Sequence, residues 1–211
     1  MGAKNIPVRG GNRDYTVTVQ NTDVLSIDID LSSPIDMGNL VVKPKQKGET
    51  TITVKDNVTN ETVDLKIKIV DSYLNLKVAH PAQVPYTGGE NLFFINNSDR
   101  DFYLFDEKME KKECTGNYQF LIKNSTCYMI LNFDKELNDK STYEYNISNT
   151  SERMFTLIEI LLGIDWNMKT DLINRSTRSA SPVTMNAVDT ETNIIQYFVA
   201  GSNDIPENIL D

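Results

Sequence analysis

The side chains in this sequence best suited to chemistry are aromatic. Tyr103 and Phe105 alternate with Phe102 and Leu104, and Tyr143 and Tyr145 share a face ahead of Trp166. Rings exposed on a sheet stack on sugar rings or fill a partner's pocket, and the same rings turned inward are a core. Catalytic candidates are fewer. His80 is the only histidine, so a His-Glu-x-x-His zinc site cannot be built. A Ser-His-Asp triad would have to recruit His80 from a proline-containing loop, with no Gly-x-Ser-x-Gly elbow to present the serine. A Cys-His pair would draw on Cys114 or Cys127, but Cys127 sits in an apolar run where a thiol is inert. Carboxylate pairs remain open: Asp134 with Glu136, Asp99 with Asp101, and Asp106 with Glu107 could serve glycoside hydrolysis if two acids faced each other across a cleft. Each falls at a strand end among turn residues, where solvated acids are commonplace. Asp56-Asn57 and Asp99-Arg100-Asp101 lack the regular spacing of a calcium loop. No catalytic group, metal site or cofactor is therefore expected.

The elements that must position these residues are strands. In Gly48 to Ile69, residues Ile52 and Val54, then Val63, Leu65, Ile67 and Ile69, fall on one side at period two, with Thr51, Thr53, Lys55, Asp64, Lys66 and Lys68 on the other. Asp56-Asn57 and Thr59-Asn60 between the two runs supply turn chemistry. The pattern predicts a hairpin whose Ile52, Val54, Leu65 and Ile67 are buried. Further strands are predicted at 6–8, 14–19, 24–30 and 39–43, then at 73–78, 91–95, 101–105, 118–122, 127–133, 142–147, 183–187 and 194–200, separated by Gly, Pro, Asn and Ser. The pattern restarts at Tyr73 with almost no linker, which puts a boundary at Asp71-Ser72 and predicts domains at 4–71 and 72–211. A tight turn at Asn124-Ser125 sets Cys127 opposite Ile122, so a Cys114–Cys127 disulfide requires the loop before Tyr118 to fold back. Met154 to Trp166 fits two periods. Alternate residues suit a long core strand, whereas Glu152, Thr156, Glu159 and Gly163 form the polar stripe of a buried helix after Ser151. Strand-like neighbours on both sides favour the strand, with a single helix near 152–164 as the alternative.

At 211 residues, with 39% hydrophobic and 24% charged content, the chain can bury cores without metals or disulfides. A net charge of −9 and the lack of a basic stripe interleaved with aromatics argue against a nucleic-acid partner. Arg175 and Arg178 read as part of a solvated loop. The most apolar run, Leu157 to Ile164, is interrupted by Glu159 and far short of the ~20 residues a spanning helix needs. Met1 and Gly2 read as added residues, ahead of a trimmed chain whose export signal, if any, lies outside the sequence.

Three segments carry a family resemblance: Asn21-Thr22-Asp23-Val24-Leu25-Ser26-Ile27, Gly38 to Pro44, and Lys47-Gly48-Glu49-Thr50-Thr51-Ile52-Thr53-Val54. Together they resemble the bacterial Ig-like domain of group 2 type, in which a polar turn and Val strand precede a Gly-initiated strand and a Gly-Thr-x-x-Ile-x-Val strand. The match covers about a third of the chain, and Tyr15 stands where the family carries tryptophan in its second strand. It implies a β-sandwich spacer on a bacterial surface. The arrangement of both domains resembles two-part surface lipoproteins of Gram-negative gut bacteria. The expectation is an all-β, extracytoplasmic protein, anchored at the outer membrane or in the periplasm, and a non-catalytic adhesion module. Its β-rich head would meet glycan or protein through Tyr103, Phe105, Tyr143, Tyr145 and Trp166. The alternatives are a glycan-acting hydrolase using a carboxylate pair and a structural subunit of a surface appendage.

Overall fold

A computed structural model of the chain describes residues 3–32, 35–166, 183–202, 204–206 and 209–210. Among them are fourteen strands and one helix, so the fold is all-β, and the chain divides into two compact units, 1–71 and 72–211. Arg175 and Arg178 lie outside the described residues.

The first unit contains β1 (Lys4–Val8), β2 (Tyr15–Val19), β3 (Leu25–Asp30), β4 (Gly38–Pro44), β5 (Gly48–Asp56) and β6 (Thr62–Ile69). They form two three-stranded antiparallel sheets, ordered β1-β4-β3 and β2-β5-β6. Both sheets feed one apolar core around Leu25, Val42 and Ile52. The predicted β5–β6 hairpin forms with Ile52 opposite Leu65. Its turn is fixed by the Asp56 carboxylate, whose Oδ1 accepts the backbone N–H groups of Val58 and Thr59 at 2.8 and 3.1 Å. Burial along the hairpin is less complete than the alternation predicts. Ile52 is fully buried, but Val54, Leu65 and Ile67 are half-buried and Val63 is 60% exposed. The cause is topological, because β6 is bonded to β5 alone and so stands at a sheet edge.

The second unit is a closed antiparallel barrel of eight strands: β7 (Tyr73–Val78), β8 (Asn91–Ile95), β9 (Asp101–Phe105), β10 (Lys112–Lys123), β11 (Thr126–Leu137), β12 (Lys140–Asn146), β13 (Thr184–Asp189) and β14 (Ile195–Ala200). Each strand pairs with the next in sequence, and β14 closes on β7 through Phe198 opposite Val78. Alternate residues point inward, and rings fill the interior: Phe94 meets Tyr118 edge-on at 5.1 Å, and Phe102 meets Phe133 at 5.0 Å.

Between β12 and β13 runs α1 (Glu152–Leu162), which corrects the strand preferred for 154–166. Period two would bury Ile160 and release Phe155, yet Ile160 is 69% exposed and Phe155 is buried with Met154, Ile158 and Leu162. Burying each of these large side chains is worth about 1.5–3 kcal/mol, and only a helix gathers them on one face. Gly163 ends the helix at φ 61°, a left-handed conformation suited to glycine, with its N–H donating to Glu159 O. The last carbonyls are not left bare: Ser72 Oγ donates to Leu161 O at 2.6 Å and Arg100 Nη1 to Leu162 O at 2.5 Å. These bonds, with Ser151 Oγ donating to Thr184 O, lay α1 across the barrel end formed by the starts of β7 and β13 and the β8–β9 turn.

Candidate functional site

The five predicted aromatics do not share a surface. Tyr143 and Tyr145 point into the barrel, stacked at 6.1 Å, and both are buried. Trp166 is buried against Phe155 and Phe120 beneath α1, at 5.2 and 5.8 Å. Phe105 faces outward from β9 but is covered, edge-on to Phe93 at 5.8 Å. The binding platform proposed for these four is therefore corrected to core, since alternation sorts faces without saying which face is wet. Tyr103 alone is half exposed on the outer wall of the barrel.

Around Tyr103 the strand registers assemble polar groups that lie far apart in sequence. The β10–β11 turn at Asn124 and Ser125, with φ of 51° and 62°, is a tight two-residue hairpin loop. It sets Ile122 opposite Cys127 and, by counting back along the ladder, Asn117 opposite Asn132. The β9–β10 pairing sets Asp101 opposite Asn117 and Tyr103 opposite Thr115, and β11–β12 sets Asn132 opposite Thr142. A polar row thus crosses four strands, through Asp101, Asn117, Asn132 and Thr142. Within it Asn132 Nδ2 donates to Asn117 Oδ1 at 2.9 Å and Thr142 Oγ1 to Asn132 Oδ1 at 3.0 Å. One step along, Thr115 Oγ1 donates to Asp134 Oδ2 at 2.5 Å, and at the edge Asn97 Nδ2 donates to Asp101 Oδ2 at 2.6 Å.

Part of these rows, with Tyr103, lines a shallow groove of about 200 Å³, formed by Asp101, Phe102, Tyr103, Thr115, Gly116, Asn117 and Asp134. Sharing Thr115 and Asp134 with it is a second depression of about 290 Å³, which reaches Lys112, Glu113, Cys114 and Lys135. Lys112 Nζ lies 5.6 Å from the centre of the Tyr103 ring, a cation–π arrangement. Partial burial and the nearby Asp101 charge push the Tyr103 phenol up, so it remains a hydroxyl donor at neutral pH. The groove combines a ring face, carboxylate acceptors, an amide and hydroxyls. That set suits a polyhydroxylated ligand with an apolar ring face, since hydroxyls need donors and acceptors in alternation.

The predicted carboxylate pairs disperse. Asp106 accepts the backbone N–H groups of Glu110 and Lys111, closing the β9–β10 turn, and Glu107 pairs with Lys77 at 3.3 Å. Asp101 and Asp134, members of different predicted pairs, are the acids that line one groove. His80 is exposed beside Gly88. Cys114 and Cys127 are free thiols, raised in pKa by burial, with Glu113 adding to the effect at Cys114. Among the described residues, no group of three or more His, Cys, Asp or Glu side chains could hold a metal ion.

Sequence reasoning missed Asn117, Asn132, Thr115 and Thr142. The signal for three of them was present: once Cys127 stands opposite Ile122, Asn117 must stand opposite Asn132 and Thr115 opposite Asp134. No helix among the described residues is long and apolar enough to cross a membrane. No family model, curated protein or solved structure matches the chain.

Proposed function

We propose that the chain is a non-catalytic bacterial cell-surface binding module, in which residues 4–71 are an Ig-like spacer and the barrel is the head that meets a glycan. The observation that carries this reading is the groove at Tyr103: one half-exposed ring flanked by Asp101, Asn117, Thr115 and Asp134 on a rigid sheet. A sugar ring laid on Tyr103 would present its hydroxyls to these groups, with Lys112 closing one side. A sheet surface suits binding because its side chains are fixed by cross-strand bonds before the ligand arrives. The extracytoplasmic, surface-anchored setting is supported by the Gly-Glu-Thr-Thr-Ile-Thr-Val strand and its companion segments in the first unit. The experiment is a glycan array on the intact chain, followed by product analysis of each glycan retained. Retention without cleavage, weakened by Tyr103→Ala in a folded protein, supports the reading.

One observation favours a hydrolase as the second reading, namely that Asp101 and Asp134 line the same groove. They stand on the strands either side of β10, so at ~4.8 Å per strand spacing their backbones are separated by at least ~9.6 Å. The ~6.5–9.5 Å between the carboxyl groups of inverting glycosidases would therefore require both side chains to lean towards each other across β10. Cleavage lost in Asp134→Asn would establish this second reading in place of the first.

A further inference from the structure

We propose that the loop joining β7 to β8, residues 79–90, is a detachable plug, and that its inserted side chain, Tyr86, holds the place of a phenolic ligand at the end of the barrel opposite α1. The loop leaves the sheet at Val78 and returns at Asn91. Its backbone bonds back to the rim where Ala79 N–H donates to Tyr197 O at 2.8 Å and Gly89 N–H to Val78 O at 2.9 Å. Pro81, Gln83, Val84 and Thr87 face solvent, and Tyr86 is the large apolar side chain that turns inward. There it joins the barrel core, edge-on to Phe198 at 5.8 Å, with Ala82 packed against the same core.

Two buried hydroxyls oppose this closed state. Tyr86 and Tyr145 are 4% and 0% exposed and their side chains stand together, yet neither hydroxyl has a partner at hydrogen-bonding geometry. Burial pushes both phenols up, so each keeps its proton at neutral pH and is a donor without an acceptor in line. An unpaired buried hydroxyl is a cost that hydration on opening removes. The catches that offset it are side-chain bonds outside the strand ladders. Gln196 Nε2 donates to Gln83 O at 2.6 Å and to Val84 O at 3.0 Å, and the Glu90 carboxylate accepts the N–H groups of Thr87 and Gly88.

The ligand's chemistry follows from Tyr86 itself. Its ring is accommodated against Phe198, but the ring is tethered to the loop, which holds its hydroxyl out of line with that of Tyr145. A free phenol in the same place is not tethered, and a small shift lets its oxygen meet the Tyr145 hydroxyl at the ordinary ~2.7–2.8 Å. An aryl ring without a hydroxyl gains the ring contacts and leaves Tyr145 unpaired. An aryl carboxylate is refused by the Glu90 and Asp189 charges, which reach Tyr86 and Tyr145 respectively.

The test follows amide hydrogen exchange of the intact chain, with p-cresol as probe and toluene as its hydroxyl-free counterpart. The amides of Tyr86, Thr87, Gly88 and Gly89 all donate in the closed plug, so their exchange reports its opening. p-Cresol is expected to speed their exchange as its concentration rises while the β8 and β9 amides are unchanged, and toluene to do so at least about threefold less, for want of one hydrogen bond. Tyr145→Phe should remove the difference between the two probes. Tyr86→Phe should slow exchange of the four amides about tenfold, because it deletes a hydroxyl that the closed state leaves unpaired. Tyr86→Ala, with its fold checked by Trp166 emission from the far end of the barrel, should bind p-cresol more tightly than the parent; if it does not fold, the parent and Tyr86→Phe decide the matter. Faster exchange in Tyr86→Phe, equal effects of the two probes, no effect of p-cresol on the parent, equal acceleration of β8 and β9, or a folded Tyr86→Ala that does not bind would each overturn the proposal.

Discussion

Gly116→Ala tests how the barrel wall holds the Tyr103 groove. Gly116 lies inside β10, opposite Phe133, and its inward side has no room: a Cβ there would come within 1.9 Å of the Asn132 carbonyl oxygen and 2.8 Å of Phe102. A carbon and a carbonyl oxygen rest at roughly 3.3 Å or more, so the overlap is about 1.4 Å against backbone that no rotamer change relieves. β10 and β11 must part where Asn132 bonds Asn117 and Thr115 bonds Asp134. Overpacking costs about 1–3 kcal/mol, and each ladder bond lost adds about 1 kcal/mol, so the substitution should cost at least ~2 kcal/mol. The assay is denaturant unfolding followed by tryptophan emission, because Trp166 is the only tryptophan and is buried in the barrel unit against Phe120 and Phe155. Gln119→Ala, exposed on the same strand, should stay within about 0.5 kcal/mol. If Gly116→Ala stays within ~1 kcal/mol of the parent, the close approach of β10 to β11 is wrong and the groove with it.

In the first unit, Ile52→Ala should cost ~2–5 kcal/mol as a full core truncation, and Ile67→Ala about half of that or less. Hydrogen exchange of the β3, β4 and β5 amides measures both, and equal costs would contradict the open edge at β6. Glu90 accepts hydrogen bonds from Thr87 N–H and hydroxyl, both at 2.6 Å, and from Gly88 N–H at 2.7 Å. Burial opposes its ionisation, but these bonds prevail and hold the carboxyl below its ordinary range. Its contribution is present above the unfolded pKa of roughly 4.3 and lost as pH falls through the lower folded value. Glu90→Gln should therefore lose on the order of 2 kcal/mol at pH 7 and lack that acid-side loss, as read by Trp166 unfolding at several pH values. Alkylation after denaturation without reductant should label both Cys114 and Cys127, and a mass showing a disulfide would contradict their free thiols.

Much of this architecture is legible along the chain because antiparallel neighbours leave local signals. Alternation bounded by Gly, Asn and Pro marks β7, β8 and β9 at their observed limits, and Asn124-Ser125 sets the β10–β11 register. Closure of β14 on β7 leaves no such mark, since it joins residues some 120 positions apart, as in Phe198 with Val78. Burial on the outer wall is equally silent: Tyr103 and Phe105 share a face, yet Phe105 is buried edge-on to Phe93 while Tyr103, directly opposite Phe93 in the ladder, stays half exposed. The site was hidden for a related reason. Its rows depend on three registers at once, and those of β9–β10 and β11–β12 shift, between Lys112 and Cys114 and between Asn132 and Leu137. Counting from their turns would misalign the rows. α1 was ambiguous because apolar residues fill both periods, and the exposure of Ile160 decides between them.

The most direct test of the Tyr103 groove as the binding site is a titration of the isotope-labelled chain with a glycan retained on the array, followed by amide chemical shifts. The account predicts that the perturbed amides cluster at 101–103, 115–117 and 132–134, and that Tyr103→Ala weakens binding at least about tenfold, ~1.4 kcal/mol, with the remaining spectrum unchanged. Perturbations confined to other strands, or affinity unaltered by Tyr103→Ala, would contradict it.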